Sequence, residues 1–133
     1  MGKYSFYDLV EIVSKLRSEK GCPWDKKQTH KSLIKYLKEE TEELIKEIEK
    51  DNIEGIKDEL GDVLLQVVFH SQIEKEKGNF DIDDVIDSIC RKMIRRHPHV
   101  FGNLKVKDEK EVEKKWKEII GCLLYTSPSP RDS

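Results

Sequence analysis

Apolar residues recur along the chain at the three- and four-residue intervals that are typical of amphipathic helices. Ser5 and Asp8 form a capping-box pattern in front of the first such stretch, which predicts a helix over about residues 6–20. Thr29 has the position of an N-cap for a second helix, which continues to about Lys50. The pattern therefore predicts that the first third of the chain is helical.

The third predicted helix, over residues 56–77, is apolar on most of its circumference, which is typical of a buried helix. The short connection over residues 51–55 makes it the antiparallel neighbour of the second helix. A fourth helix begins after Asp81 and continues through Arg96. It ends before Pro98, because the residue that precedes a proline is pushed out of the α region.

A final helix is predicted from a cap formed by Asp108 and Glu111, and from about Cys122 the sequence changes character abruptly. The run Leu-Leu-Tyr-Thr-Ser-Pro-Ser-Pro-Arg-Asp-Ser is more typical of translated adapter or vector sequence than of a protein. We therefore predict a domain over residues 1–121 and a non-native tail over residues 122–133.

The composition limits what can cover the third helix. Of the 133 residues, 36% are hydrophobic and 39% are charged, so apolar side chains are scarce for a monomer of this size. Burying a helix that is apolar on most sides then requires a partner subunit. We predict an all-α fold, an antiparallel helical bundle whose protomer completes a four-helix-type core by forming a homodimer.

The charge balance argues against two classes of partner. The net charge of −2, from 25 basic and 27 acidic residues, provides no bulk attraction to nucleic acid or to an anionic membrane. No stretch approaches the roughly 18 apolar residues of a membrane span, and the N-terminus lacks the apolar region of a signal peptide. We expect a cytoplasmic protein with no nucleic-acid or membrane partner, whose three cysteines are reduced structural thiols.

Two acidic motifs carry the candidate chemistry. One is the run over residues 39–43 in the second helix, and the other is the Glu59/Asp62 pair at the start of the third. A solvated charged face is the alternative for the first motif. It explains the second motif poorly, because surface helices do not carry seven large apolar residues in ten positions, as residues 60–69 do.

Polar residues on the third helix form a stripe roughly 80° wide on an otherwise apolar surface. A buried carboxylate without a partner costs on the order of several kcal/mol, so such a cluster requires cations, protons or a metal. Carboxylates from two i, i+3 pairs provide hard oxygen ligands, which favour Mg²⁺ or Mn²⁺ over zinc. The stripe consists of Glu59, Asp62, Gln66 and His70.

Two further segments could contact a ligand. The run Gly21-Cys22-Pro23-Trp24-Asp25 predicts a rigid turn that ends the first helix. The Trp24 ring either packs over the core or lies against a planar ligand, and the sequence leaves both open. Lys92, Arg95 and Arg96 in the last turns of the fourth helix either complement its dipole or form a phosphate clamp.

Several signatures in this order resemble the MazG family of all-α nucleoside triphosphate pyrophosphohydrolases, over about residues 6–120. The resemblance implies a dimer of helical protomers that uses Mg²⁺ to hydrolyse an NTP or dNTP to the monophosphate and pyrophosphate. The signatures are Gly21–Asp25, Gln28-Thr29-His30, the E-E-x-x-E of Glu39, Glu40 and Glu43, the E-x-x-D of Glu59 and Asp62, and Arg95-Arg96-His97-Pro98-His99-Val100-Phe101.

The resemblance also implies roles for single residues. Glu39 matches the leading acid that positions the attacking water, and Lys92 and Arg96 match basic residues at the triphosphate. The chain departs from the family pattern at Ile120, where relatives often have lysine four residues after the tryptophan that corresponds to Trp116. The residues that match the metal ligands are Glu40, Glu43, Glu59 and Asp62.

Two other functions could use an acidic helical bundle. The di-iron four-helix proteins need two Glu-x-x-His pairs, and this sequence has none. The other rival is a non-catalytic helical dimerisation or regulatory module whose acidic cluster holds a structural cation. Nucleotide binding without turnover would indicate that second function.

Overall fold

The computed structural model describes residues 2–102 and 107–126, with the side chains of the last helix described through residue 118. Every regular element in these ranges is a helix, which confirms the all-α class, and none has the length and apolarity of a membrane span. The helices are α1 (Phe6–Leu16), α2 (Pro23–Lys27), α3 (His30–Glu49), α4 (Ile53–Glu76), α5 (Ile82–Arg96), α6 (Pro98–Phe101) and α7 (Glu109–Thr126).

The chain divides into two compact units at Ile82. The first unit contains α1 to α4, and the second contains nearly all of α5 together with α6 and α7. The boundary falls inside the domain that we predicted over residues 1–121. Of the predicted tail, residues 122–126 continue α7, and residues 127–133 lie outside the described residues.

Helix α1 begins as its capping box predicts and ends earlier than expected. The Ser5 hydroxyl accepts a hydrogen bond from the Asp8 amide at 3.3 Å, and the Asp8 carboxylate accepts one from the Ser5 amide at 2.7 Å. The helix ends at Leu16, and not near residue 20, because the chain folds back onto its last turn. At Gly21 a Cβ atom would lie 2.2 Å from the Lys15 carbonyl oxygen, so this approach requires glycine.

Helices α3 and α4 pack against each other as antiparallel neighbours, as predicted. The Thr29 hydroxyl accepts a hydrogen bond from the Ser32 amide at 3.1 Å, which confirms the predicted N-cap of α3. The link between the helices covers only residues 50–52. The Asn52 side chain accepts from the Gly55 amide at 3.3 Å and starts α4 three residues earlier than predicted.

The core of the first unit lies against one half of α4. All buried residues of α4 lie between Gln66 and Ile73. Towards its N-terminus, Leu60 and Leu64 are 51% and 39% exposed. The sequence predicted that a partner subunit completes the burial of this helix, and this half of α4 is the part that the single chain leaves exposed. The buried core cluster consists of Val13, Leu33, Val68, Phe69 and Ile73.

In the second unit, α5 ends at Arg96, before Pro98, as predicted. Pro98 then starts the one-turn helix α6, where the sequence predicted no helix. Asp108 accepts a hydrogen bond from the Glu111 amide at 3.0 Å, which confirms the predicted cap of α7. The His97 ring meets the Trp116 ring edge-on, with a centroid distance of 4.8 Å.

Candidate functional site

Helices α3 and α4 bring three acidic side chains to one place. Glu40 on α3, and Glu59 and Asp62 on α4, each offer a carboxylate oxygen that lies within 4.8 Å of the other two. The i, i+3 spacing places the two α4 residues on one side of that helix, and the antiparallel packing presents Glu40 to them. Three of the four predicted metal ligands are therefore neighbours.

The cluster is electrostatically unfavourable as it stands. Desolvation, followed by the negative charge of Asp62, raises the pKa of Glu40 to about 6. The same two causes, in the same order, raise the pKa of Glu59. The Glu59 Oε2 atom is shielded from solvent and makes no hydrogen bond with any described residue. A bound cation would remove the repulsion that raises both pKa values, and three close carboxylate oxygens fit Mg²⁺ or Mn²⁺.

The remaining acids of the first motif lie at the margin of this cluster. The Glu43 carboxylate is 3.4 Å from the Lys46 ammonium on the same helix, with both side chains largely exposed. Its negative charge nevertheless contributes to the raised pKa of Glu59, so it lies close to the cluster. Glu39 and Glu42 are exposed on α3. The structure thus separates the acids that converge from those that face solvent.

The site lies in the half of the helix pair nearer to the link over residues 50–52, outside the buried core of the first unit. Asp62 is exposed and Glu59 is half-buried, whereas Gln66, one turn further along the stripe, is buried. In the single chain the carboxylates therefore lie at the margin of the core, and their burial inside a core completed by a partner subunit stays a prediction. A Cβ atom at Gly61 would meet no described atom within 4 Å apart from the neighbouring backbone of its own helix, so no other described element approaches this glycine closely.

Trp24 lies on the short helix α2, where the sequence predicted a rigid turn. Pro23 occupies the first turn of α2, where its fixed φ angle favours a helix. The Trp24 ring contacts the Tyr36 ring edge-on, at a centroid distance of 5.8 Å, and is 45% exposed. It is therefore anchored on one edge and leaves much of its surface open to a ligand.

The other end of the helix pair holds a polar network that the sequence did not predict. His30 Nδ1 lies 2.7 Å from His70 Nδ1, and His30 Nε2 contacts the Glu74 carboxylate. Asn79 donates to the other Glu74 oxygen at 2.8 Å. Burial, followed by the charge of His30, lowers the pKa of His70. The sequence placed His70 on the polar stripe, but its partner is 40 residues away and no local pattern identifies it.

The predicted cationic cluster belongs to the second unit. Lys92, Arg95 and Arg96 are half-buried in the last turns of α5. Their role as a phosphate clamp stays a prediction.

Known proteins match this chain both in sequence and in fold. The family described as the MazG nucleotide pyrophosphohydrolase domain matches residues 28–101, which is more than half of the chain and includes all three clustered carboxylates. A crystal structure of a mazG-related protein from Thermotoga maritima matches with a TM-score of 0.70 and 28% sequence identity. The match covers 85% of this chain and 96% of that one.

Three curated relatives are longer than this chain. The YabN protein of Bacillus subtilis is 50% identical over 126 residues, which are 95% of this chain and 26% of that protein. A nucleoside triphosphate pyrophosphohydrolase/pyrophosphatase MazG from Thermotoga maritima is 60% identical over 74% of this chain and 38% of its own length. An Escherichia coli nucleoside triphosphate pyrophosphohydrolase is 42% identical over 84% of this chain and 43% of its own.

This chain therefore spans between about a quarter and somewhat less than half of the length of these relatives. The matched region contains both acidic motifs, Gln28-Thr29-His30 and the segment from Arg95 to Phe101, and begins after the Gly21–Asp25 signature. The chain belongs to the family of MazG nucleotide pyrophosphohydrolase domains.

Proposed function

We propose that this domain hydrolyses a nucleoside triphosphate, NTP or dNTP, to the nucleoside monophosphate and pyrophosphate, with a house-cleaning role in the nucleotide pool. Mg²⁺ is the proposed cofactor, and Mn²⁺ can replace it because it accepts the same oxygen ligands. The observation that carries the proposal is the convergence of Glu40, Glu59 and Asp62 within 4.8 Å in a chain of the MazG family.

The acidic residues have distinct proposed roles. Glu40, Glu59 and Asp62 hold the cation, and Glu43 completes the set after release from Lys46. A bound divalent cation would neutralise negative charge on the phosphoryl oxygens and lower the pKa of a coordinated water. Glu39, exposed one residue before Glu40, orients the water nucleophile or accepts its proton.

The rest of the substrate requires a basic and a planar partner. We assign Lys92, Arg95 and Arg96 to the triphosphate, because guanidinium groups match phosphate oxygens, and guanidinium and ammonium groups both offset the charge that develops during phosphoryl transfer. We assign Trp24 to the base, because its half-exposed ring offers an aromatic face to a planar group. Support for these assignments is the family resemblance and the exposure of the Trp24 ring.

We also propose a homodimer formed through the open faces of α3 and α4. Large apolar side chains remain exposed there, and a second copy would bury them. Sedimentation of the full chain at micromolar concentration should give twice the 15.6 kDa of one chain, and Leu64→Glu should convert it to a monomer. A wild-type monomer would contradict the proposal. The exposed residues are Ile34, Leu37, Ile45, Ile48, Leu60, Leu64 and Val67.

Pyrophosphate release from the four NTPs and four dNTPs, with and without Mg²⁺, tests the activity. A matched pair of variants tests the site. Glu40→Gln should lower the rate by about 100-fold or more and weaken the apparent affinity for Mg²⁺, because it removes a charged ligand. Glu42→Gln removes an exposed acid two residues away and should retain the wild-type rate.

Other outcomes would contradict the proposal. Nucleotide binding without pyrophosphate release would indicate the non-catalytic dimerisation or regulatory module with a structural cation. Equal and small effects of Glu40→Gln and Glu42→Gln across a Mg²⁺ titration would mean that the motif is a solvated charged face.

A further inference from the structure

Arg17, at the C-terminal end of α1, is only 9% exposed, and all three nitrogens of its guanidinium group donate hydrogen bonds. Nε and Nη2 donate to the two carboxylate oxygens of Glu76 at 2.9 and 3.0 Å, which is a bidentate ion pair. Nη1 donates to the backbone carbonyl oxygens of Asp25 at 2.6 Å and Gln28 at 3.1 Å. The guanidinium also lies 5.3 Å from the centroid of the Phe69 ring.

Gln28 provides a second buried connection to the same segment. It is 7% exposed, and its side-chain amide donates to the Trp24 carbonyl oxygen at 2.8 Å. Its side-chain oxygen accepts from the Ser32 hydroxyl on α3, also at 2.8 Å. Arg17 and Gln28 together thus connect the backbone of α2 to α1, α3 and α4.

Helix α2 contributes little to the stability of the fold by itself. Its five residues make little more than one turn, which is far below the length at which an isolated helix is stable. Its N-cap residue Cys22 makes no side-chain capping bond, and no residue of α2 is buried. A buried arginine and a buried glutamine therefore hold a segment that adds no side chain to the core, so packing alone does not explain them.

The feature that α2 presents is the ring of Trp24. Its neighbour Tyr36 lies four residues before Glu40 on α3, which is about 6 Å along the helix axis and on nearly the same face. An aromatic surface so near the carboxylate cluster suits the base of a nucleotide whose phosphates lie at Glu40.

We infer that Arg17 is a positioning residue for Trp24, and that the Arg17–Glu76 pair together with Gln28 sets how well the base of the nucleotide is bound. This inference rests on the proposed function. The base is remote from the bond that breaks and is bound equally in the ground state and the transition state. Loosening Trp24 should therefore raise KM and leave kcat nearly unchanged.

The first test uses Arg17→Lys, which keeps the charge but loses the planar fork. KM for a nucleoside triphosphate should rise about three- to tenfold. This rise is smaller than the loss of a whole base–aromatic stack would cause, because the Trp24 ring is loosened and not removed. The inhibition constant of tripolyphosphate, which has no base, should stay within about twofold of the wild-type value. Arg91→Lys is the matched control, because Arg91 forms an exposed pair with Asp87 at 2.8 Å and should change neither value.

A double-mutant cycle separates positioning from a general structural role. Trp24→Leu should raise KM, and adding Arg17→Lys to it should raise KM less than twofold further, because the ring through which Arg17 acts is gone. If Arg17→Lys raises KM by the same factor with and without Trp24, the inference is wrong. Equal increases in KM and in the tripolyphosphate constant would also overturn it.

If Arg17→Lys does not fold, Glu76→Gln is used in the same cycle, since the Glu76 side chain is 38% exposed and the change conserves its shape. The inference predicts the same non-additivity with Trp24→Leu, and additive effects overturn it. Failure of the proposed function looks different, because the wild-type protein would then release no pyrophosphate and tripolyphosphate would not compete with the nucleotide.

Discussion

The two ends of the α3–α4 helix pair contain the same types of acidic residue in opposite environments. At one end, Glu40, Glu59 and Asp62 lie together, and the pKa values of the two glutamates are raised by desolvation first and by the charge of Asp62 second. We call this the carboxylate end. Its acids repel one another, so it depends on a ligand from outside the chain.

At the other end, which we call the paired end, each acid has donors within the chain. A hydrogen bond from Asn79, followed by one from His30, lowers the pKa of Glu74. The hydrogen bond from Arg17 is the largest cause that lowers the pKa of Glu76. The same residue type thus stabilises the fold where the chain supplies its partner and leaves a binding site where it does not.

The largest expected effect is on catalysis at the carboxylate end. Asp62→Asn should lower the rate of pyrophosphate release by on the order of a thousandfold, because it removes a charged ligand. Without metal the variant should unfold at the same or a higher temperature, since it relieves repulsion with Glu40 and Glu59. Steady-state rates in Mg²⁺ check the loss of activity, and thermal unfolding in EDTA checks the stability. A near-wild-type rate in Mg²⁺ would mean that Asp62 is not a metal ligand.

At the paired end, breaking an ion pair should instead lower stability. Arg17→Met leaves the Glu76 carboxylate without its bidentate partner and two backbone carbonyls without a donor. We expect the free energy of unfolding to fall by roughly 2–3 kcal/mol, less than for a fully buried pair because Glu76 is partly exposed. Urea unfolding measures it. The control Arg91→Met, at an exposed pair, should leave the free energy of unfolding nearly unchanged.

The pH dependence of the carboxylate end follows from the raised pKa of Glu40. The folded state binds this proton more tightly than the unfolded state, so ionised Glu40 destabilises the fold above about pH 6, and the penalty disappears as the pH falls towards 4.5. In EDTA, Glu40→Gln should therefore be more stable than wild type at pH 7, by a few degrees in Tm, and equal to it near pH 4.5. Thermal unfolding across this range checks the sign, and a difference that grows as the pH falls would contradict it.

The smallest effect concerns the glycines near the carboxylate end. Gly61→Ala places a methyl group where no described atom lies within 4 Å apart from the backbone of its own helix, so it should stabilise α4 by about 0.5–1 kcal/mol through helix propensity. Gly55→Ala is the matched control: its Cβ would lie 2.2 Å from Glu47 Oε2 and 2.9 Å from the side-chain nitrogen of Asn52, so the gain should be smaller because these side chains must shift. If Gly61→Ala gains stability but loses activity, the ligand itself approaches Gly61. Chemical denaturation with parallel rate measurements distinguishes these outcomes.

The sequence by itself determined the features that depend on nearby residues. The caps at Ser5 and Thr29 are formed by side chains three residues away, so the starts of α1 and α3 follow from local pattern. The i, i+3 spacing of Glu59 and Asp62 places them on one side of α4, and the short link makes α3 its antiparallel neighbour; the family resemblance added Glu40, which the structure places beside them. Family membership followed from the same motifs.

Only the tertiary structure decided which groups pair across long separations. Arg17 meets Glu76 from 59 residues away, and His30 meets His70 from 40 residues away, so no local periodicity marks either contact. Periodicity also shows which face of a helix is apolar without showing whether a neighbour covers it. The sequence therefore predicted an apolar helix that needs a partner subunit for its burial, and the fold shows which half the chain buries itself and that the half with the carboxylates is exposed.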